Sequence, residues 1–438
     1  MARLAAPIVA VQVGLMTMGA VDAAMLGRVS PAAMAGGALG NLYWMLATMV
    51  GQGAVHALDP IVSQALGAGD AAAAGRGVKR GLVLGALLSL PAALVLVPAE
   101  PVLRWLGQPE DVAALAGDYT LACVPGTIAY YWFFALRQSL QAMRRVWPLI
   151  LTVVGANLLN VFLDWVLIFG RLGAPALGTT GAAIATSIGR WAMVLILGGI
   201  GWRYLRPHLR GSWRSALRWT ALTPMLRIGL PIGVHQWLEM AAFGGALLLV
   251  GRFGTVPLAA HNLTIQIVAL TYMVPLGTAS AAAVLVGHAV GRGDADGARR
   301  EASAALVCGV GFMAIAALVI VAVPETLARA FSIEPAVVAL GARFLPIAAA
   351  FQVFDGIQGV SSGILRGLGD TRIPMLLNLV GFVLIGIPVA AILAFPLGIG
   401  PEGVWWGLVV CLAVVAALLA ARVRTRLSGA LVRVESAH

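Results

Sequence analysis

The sequence predicts an all-α integral membrane protein with about twelve transmembrane helices, arranged as two parallel-repeat lobes of six helices each. Apolar residues make up 60% of the 438 residues and charged residues 11%, whereas soluble domains have roughly 45–50% and ~25%. The mean hydropathy is +0.93. Apolar segments long enough to cross a hydrocarbon core of ~30 Å recur along the whole chain, and its two halves share sequence at a fixed spacing.

The predicted spans are continuous apolar runs, which favours helices over the alternating ~10-residue strands of a membrane barrel. The first six spans lie near residues 4–26, 41–65, 81–97, 121–136, 149–169 and 181–200. The second six lie near residues 228–250, 259–286, 304–323, 344–365, 375–395 and 403–420.

The formal charge of +11, from 29 Lys and Arg against 18 Asp and Glu, follows the predicted topology. Basic residues concentrate in alternate loops and in the tail, at residues 76–80, 137–145, 203–218, 292–300, 366–372 and 422–433. The positive-inside rule then places both termini in the cytoplasm of a multi-pass protein in a bacterial-type inner (plasma) membrane. The basic surplus therefore indicates orientation in the lipid bilayer, and we expect no nucleic-acid partner.

The two halves of the chain are predicted to be copies of one unit. Residues 27–28 (GR) recur at 251–252, an offset of 224 (251 − 27), and the same offset aligns residues 62–70 with 286–294. Copies with an even number of spans enter the membrane in the same orientation, so the repeat is parallel. The predicted domains are an N-lobe at 1–201, a basic cytoplasmic linker at 202–223, and a C-lobe at 224–438 with a short basic cytoplasmic tail.

Four carboxylates lie inside predicted spans: Asp22, Asp164, Glu239 and Asp355. A charge in the bilayer core is costly, and ionisable residues there commonly mark ion or substrate pathways. At the offsets of the repeat, neither acid of the second half matches an acid of the first. The lobes are therefore predicted to differ in chemistry while sharing a fold.

The first pair of acids has polar company. Asn160 and Asp164 are spaced i, i+4, which puts them on one face of the fifth helix, and Asp22 and Thr186 would add oxygens from the first and sixth helices. Such hard oxygen ligands suit Na⁺, or H⁺ when one acid is protonated. The alternative is interhelical hydrogen bonding without ion binding, worth about 0.6 kcal/mol per bond.

Pro7 precedes Asp22 on the same predicted helix. A proline inside a helix removes a backbone hydrogen bond and permits a kink, so Pro7 is a candidate hinge. The alternative is that Pro7 lies in the first helical turn, where proline is tolerated.

In the second pair, Glu239 and Asp355 have mostly aromatic and apolar neighbours in sequence and no basic residue in the middle of their helices. We expect them to attract a cation, either the coupling ion or an organic substrate. His235, one turn before Glu239, is a candidate proton relay or a hydrogen-bonded structural histidine. Nucleotide-binding, zinc and nucleophile motifs are absent from the sequence, so we expect neither an enzyme nor a cofactor.

Several short motifs together resemble the multidrug and toxic compound extrusion (MATE) transporters. They are residues 19–22 (GAVD), 25–28 (MLGR), 60–64 (PIVSQ), 229–231 (GLP), 259–261 (AAH) and 365–371 (LRGLGDT). The resemblance implies a V-shaped antiporter of two six-helix lobes that exports organic cations or drugs in exchange for Na⁺ or H⁺.

The resemblance also implies two sites. Glu239 and Asp355 correspond to the second-lobe cation site of the bacterial NorM-like branch. The first-lobe site described for other prokaryotic members corresponds to Asp22, Asn160, Asp164 and Thr186. Sodium-coupled NorM-like members can have a tyrosine one turn before the acid of the tenth helix, where this chain has Phe351, so one oxygen ligand for Na⁺ is missing there.

From residues and resemblance together we expect a monomeric secondary active antiporter for small organic cations or drugs. A lipid-linked oligosaccharide flippase would need a cationic cavity for pyrophosphate, and the central spans carry acids with almost no Lys or Arg. A non-transporting membrane scaffold is a further alternative, and it would tolerate neutralisation of all four acids.

Overall fold

The computed structural model describes residues 1–214 and 216–434. Ser215 of the predicted linker and residues 435–438 of the predicted tail lie outside these ranges. The described chain is a series of α-helices, interrupted once by a π-helical segment at Val380–Gly386. The helices are α1 (Ala2–Leu26), α2 (Pro31–Val55), α3 (Leu58–Gly67), α4 (Ala71–Leu96), α5 (Ala99–Trp105), α6 (Glu110–Ala142), α7 (Trp147–Phe169), α8 (Gly178–Leu209), α9 (Trp219–Gly251), α10 (Thr255–Arg292), α11 (Ala295–Ala322), α12 (Pro324–Phe331), α13 (Pro335–Gly367), α14 (Arg372–Leu379), α15 (Ile387–Ala394) and α16 (Pro401–Ser428).

The all-α membrane fold is confirmed. Across the described ranges, eleven helical segments are long and apolar enough to cross a membrane, with α14, the π-helical segment and α15 forming one of them at Arg372–Ala394. The 25-residue α2 is long enough to be a twelfth. The predicted second span at 41–65 is wrong in its position, because α2 starts at Pro31 and ends at Val55. Its glycines and amides lower the hydropathy that locates a span.

The predicted repeat is visible in the helices. α4 begins at Ala71 and α11 at Ala295, which are 224 residues apart (295 − 71), and each helix has the same cap. The Asp70 carboxylate accepts a hydrogen bond from the Ala73 amide at 2.8 Å, and the Asp294 carboxylate accepts one from the Gly297 amide at 2.7 Å. Satisfying a free amide at a helix start stabilises the helix by about 1 kcal/mol. The two halves therefore share their turns as well as their spans.

Contacts within the chain define two compact units, which we call the first unit (Ala10–Gly233) and the second unit (Met1–Val9 with Val234–Val434). The boundaries fall inside α1 and α9, two residues after Pro7 and Pro231 respectively. Pro7 lies beyond the first turn of α1, so the first-turn alternative is wrong. A hinge at Pro7 stays a prediction.

In the first unit, α6 packs against α2, α4 and α8. Lys79, the only lysine of the chain, is 7% exposed near the start of α4. Its ammonium donates to the carbonyl oxygens of Arg210 and Ser212, at 2.5 and 3.4 Å. The segment that follows α8 is therefore attached to α4 by a buried cation.

In the second unit, α13 packs against α10, α11 and α16. A Cβ atom added at Gly363 or Gly367 of α13 would lie 2.3 or 2.6 Å from the carbonyl oxygens of Ala279 and Ala283 on α10. Small residues at a spacing of four let helix backbones approach this closely in a membrane. The contact that orients the acid-bearing α13 therefore depends on glycine.

We expect Gly363→Val to destabilise the second unit, because the new side chain has to displace the α10 backbone. The cost should be about 1–3 kcal/mol or more, measured as a lower unfolding temperature of the purified protein. Gly311→Val is the matched control, since a Cβ atom there meets nothing within 4 Å. Equal unfolding temperatures for the two variants would contradict this account of the α10–α13 contact.

Candidate functional site

The four predicted polar residues of the first unit come together. Asp22 lies on α1, Asn160 and Asp164 on α7, and Thr186 on α8, and none is more than 8% exposed. The hydroxyl of Thr186 lies 3.1 Å from Asp22 Oδ2. The Asp22 carboxyl also interacts with the side chains of Asp164 and Asn160. We call these four residues the first-unit cluster.

The first-unit cluster has more buried acceptors than donors. Asp22 Oδ1, Asn160 Oδ1 and both Asp164 oxygens have no hydrogen-bond donor, and one unpartnered donor group, Asn160 Nδ2, lies among them. The single Thr186 hydroxyl proton serves either Asp22 Oδ2 or the Ala182 carbonyl oxygen, which lies 2.9 Å away. Ionised carboxylates only accept hydrogen bonds, so two adjacent ones are stable when a proton or a cation lies between them.

The first-unit cluster offers oxygen ligands and contains no histidine or cysteine. In the described part of the chain, no group of three or more His, Cys, Asp or Glu residues is placed to hold a metal ion. A sodium ion would therefore have to draw on Asn160 and Thr186 as well as on the two acids. A proton requires only one carboxylate oxygen.

Sequence reasoning missed Arg190, which lies one turn after Thr186 on α8 and is 5% exposed. Its guanidinium carbon is 3.5 Å from the ring centroid of Trp44, a cation–π contact, and its charge acts on Asp22. The signal was present, because an arginine within the predicted span 181–200 is as unusual as an acid. The expectation that the central spans are almost free of basic residues overlooked it.

Aromatic side chains hold Arg190 in place. The Trp44 ring meets the Tyr130 ring edge-on at 4.7 Å, and the Trp44 indole N–H donates to the Thr127 hydroxyl at 3.3 Å. The Tyr130 hydroxyl donates to Gln52 Oε1 at 2.8 Å. The acids of the first-unit cluster therefore face a cation whose position is set by α2 and α6.

The acids of the second unit lie within electrostatic range of each other. Glu239 on α9 and Asp355 on α13 act electrostatically on one another, and both act on Tyr272 of α10. Asp355 is 3% exposed, and its Oδ1 has no hydrogen-bond donor. We call Glu239 and Asp355 the second-unit pair.

An aromatic group lies one turn before Asp355. Phe351 is fully buried, and its ring centroid is 6.0 Å from those of Phe243 and Trp405. These rings are apolar and bring no oxygen ligand to the second-unit pair. The composition suits a bulky organic cation or a proton better than Na⁺, which needs several oxygen ligands.

Besides the expected His235, the second-unit pair has two polar neighbours, Gln358 and Asn378, that the sequence analysis did not include. His235 Nε2 lies 3.9 Å from Glu239 Oε2, and 3.3 Å from Gln358 Nε2. Gln358 Nε2 in turn donates to Asn378 Oδ1 at 3.1 Å. The expectation of mostly aromatic and apolar neighbours was therefore incomplete. The missed signal was two amides inside the predicted spans 344–365 and 375–395.

Comparison with known proteins agrees with this architecture. The family model MatE matches residues 7–166 and 231–392, two segments whose starts are 224 residues apart (231 − 7) and whose ends are 226 apart (392 − 166). The chain is 39% identical over 432 residues to the probable multidrug resistance protein NorM of Mesorhizobium japonicum, covering 96% of this chain and 92% of that protein. It is 35% identical over 440 residues to the multidrug resistance protein NorM of Burkholderia vietnamiensis, covering 98% and 94%.

Solved structures share the fold. The eukaryotic MATE transporter AtDTX14 superposes with a TM-score of 0.88 at 24% identity, covering 97% of this chain and 94% of that one. An outward-facing multidrug resistance MATE family transporter of the MOP superfamily gives a TM-score of 0.88 at 19% identity, with coverage of 97% and 95%. The family model matches most of the chain, and the chain is 35–39% identical to NorM proteins over nearly its full length. These matches show that this chain belongs to the MATE family.

Proposed function

We propose that this protein is a secondary active antiporter that exports organic cations or drugs in exchange for Na⁺ or H⁺ by alternating access. The observation that carries the proposal is the contact between Asp22 and Asp164, two buried acids with unpartnered oxygens inside membrane-spanning helices. The conformation that brings these two carboxyl groups together becomes more stable when a cation binds between them and less stable when the cation leaves. An ion and a substrate that favour different conformations are then linked thermodynamically.

The first-unit cluster is the proposed site of the coupling ion. With Arg190 charged and both acids ionised, this group carries one excess negative charge. Binding of a single H⁺ or Na⁺ makes the group neutral, which lowers the cost of burying it. Asn160 and Thr186 supply the remaining oxygens. The site is therefore matched to one monovalent ion.

The second-unit pair is the proposed site for the charge of the organic substrate or for a second proton. Glu239 and Asp355 supply negative charge, and Phe351, Phe243 and Trp405 supply an apolar aromatic surface nearby. Planar cations are bound by this combination through charge attraction and ring contacts. The relatives named as multidrug resistance proteins support such a substrate class.

The remaining features follow from this function. We propose that the protein is a monomer in the bacterial-type plasma membrane, with both termini in the cytoplasm. We also propose that its two six-helix lobes, joined by the basic linker at 202–223, are the domains that carry out transport. A flippase for lipid-linked oligosaccharides is not favoured, because the relatives are multidrug proteins and the buried acids would repel pyrophosphate. A function as a non-transporting membrane scaffold would not require carboxyl groups inside the membrane-spanning helices.

We expect Asp22→Asn to reduce ion-driven export of ethidium at least tenfold, because an amide cannot gain or lose the charge that couples ion to substrate. The measurement is ethidium transport by purified protein in liposomes, driven separately by a sodium gradient and by a pH gradient. Asp118→Asn, an exposed acid on α6, is the matched control and should transport normally. Unchanged transport by the Asp22 variant would contradict the assignment.

We expect Arg190→Gln to lower the free energy of unfolding by roughly 3–5 kcal/mol, because removal of one partner leaves a buried charge uncompensated. Thermal unfolding of the purified protein measures the effect. Arg104→Gln is the matched control, since Arg104 pairs with Glu100 at 2.7 Å on the surface and such pairs contribute about 0–1 kcal/mol. Equal losses in both variants would rule out a compensating role for Arg190.

A further inference from the structure

The hydrogen bonds beside the second-unit pair have a direction fixed by the backbone. Asn378 Nδ2 donates to the carbonyl oxygen of Pro374 at 2.7 Å, and a carbonyl can only accept. The oxygen of the Asn378 amide therefore faces Gln358, whose nitrogen donates to it at 3.1 Å. The orientation of both amides follows from one carbonyl group.

The same direction determines the state of His235. Gln358 Nε2, which can only donate, also lies 3.3 Å from His235 Nε2. His235 Nε2 therefore has to accept, so the imidazole is neutral and carries its proton on Nδ1. Asn378 and Gln358 are positioning residues, because they act on the imidazole and not on a transported species.

The accepting nitrogen of His235 also faces a carboxyl group of the second-unit pair. Glu239 Oε2 lies 3.9 Å from this nitrogen, one helical turn along α9. The side chains of both residues are mostly buried, 11% and 19% exposed. An unprotonated nitrogen beside a carboxyl group is the arrangement required for a direct proton transfer, which takes place when the two atoms approach to hydrogen-bond distance.

We propose that His235 accepts the proton that leaves Glu239 during the transport cycle, an inference that rests on the proposed antiport. The O–H bond of Glu239 breaks, its electron pair stays on the carboxylate, and the proton forms an N–H bond at His235 Nε2. The imidazolium then releases the proton to water. Protonation at Nε2 also removes the acceptor for Gln358, so the transfer breaks a bond between α9 and α13.

Groups on three other helices interact electrostatically with Glu239 or His235. The charge of Glu239 acts on Asp355 of α13, on Tyr272 of α10 and on Cys411 of α16. The charge of Arg366, at the end of α13, acts on His235. The positive charge of Arg366 opposes a lasting imidazolium. His235 is therefore a transient carrier and not a storage site for the proton.

The position of His235 gives the transfer a direction. His235 is one turn nearer than Glu239 to the start of α9, and Asn378 lies in the second turn of α14. Both helix starts adjoin basic segments, at residues 203–218 and 366–372. The proton therefore moves towards the basic end of the helices, which is the proposed cytoplasmic side.

The test is His235→Gln, which keeps a polar side chain but cannot carry a proton. Two modes are measured in liposomes with the full-length protein: ethidium transport driven by a pH gradient, and ethidium exchange between equal concentrations without a gradient. We expect the gradient-driven rate to fall at least tenfold and the exchange rate to stay within twofold, because exchange needs no proton release. His208→Gln, at the end of α8, is the matched control and should keep both rates.

Each outcome decides the inference. Retention of both modes by the His235 variant, or loss of both by a variant that elutes as a single species, would overturn it. If the His235 variant does not fold, Gln358→Leu is tested in its place. We expect loss of the positioning amide to shift the pH profile of gradient-driven transport. An unchanged profile would overturn the inference. Wild-type transport driven by sodium alone would overturn the proton role of His235 and leave the antiport intact, whereas no transport under either gradient would overturn the antiport itself.

Discussion

The cost of holding charged groups inside a hydrocarbon layer is the constraint on which the rest of this structure depends. A carboxylate or guanidinium at membrane depth is tolerated when other protein groups surround it. Each buried acid here lies on a helix that faces other helices of its unit, and the first-unit cluster has Arg190 as a nearby cation. The close backbone contacts, such as that of Gly363 with α10, hold together the helices that carry these charges. Tight packing of the helices is therefore a condition for keeping charged side chains at this depth.

The duplicated scaffold and the unduplicated acids are subject to different requirements. The caps at Asp70 and Asp294 and the prolines at positions 7 and 231 recur at the offset of the repeat, because each half has to form the same turns and spans. The acids need not recur, because a polar group is useful wherever two or three helices converge. In the first unit that place lies between α1, α7 and α8, and in the second unit between α9 and α13. Duplication preserved the helices while the buried charges came to occupy different pairs of them.

Much of the fold was predictable from sequence, since hydropathy and a fixed repeat offset depend on local composition. The sequence also identified the acids that meet, because a carboxyl group in an apolar run is conspicuous. The end of α2 at Val55 was not predictable, since glycines and amides blur the edge of the apolar run. Arg190 and Gln358 were missed for another reason. Their partners Trp44 and His235 are more than a hundred residues away, and helical periodicity carries no information about such contacts.

The two sites differ in the kind of base that lies beside their acids, and this difference has a physical consequence. Arginine is a fixed charge in proteins, so the first-unit cluster changes charge only when an ion arrives at or leaves its oxygens. His235 can change its own charge, so a proton that leaves Glu239 has a nearby acceptor. The carbonyl group of Pro374 orients Asn378, Asn378 orients Gln358, and Gln358 keeps His235 Nε2 unprotonated by donating to it. A fixed charge is suited to holding an ion, whereas an unprotonated nitrogen is suited to passing a proton on.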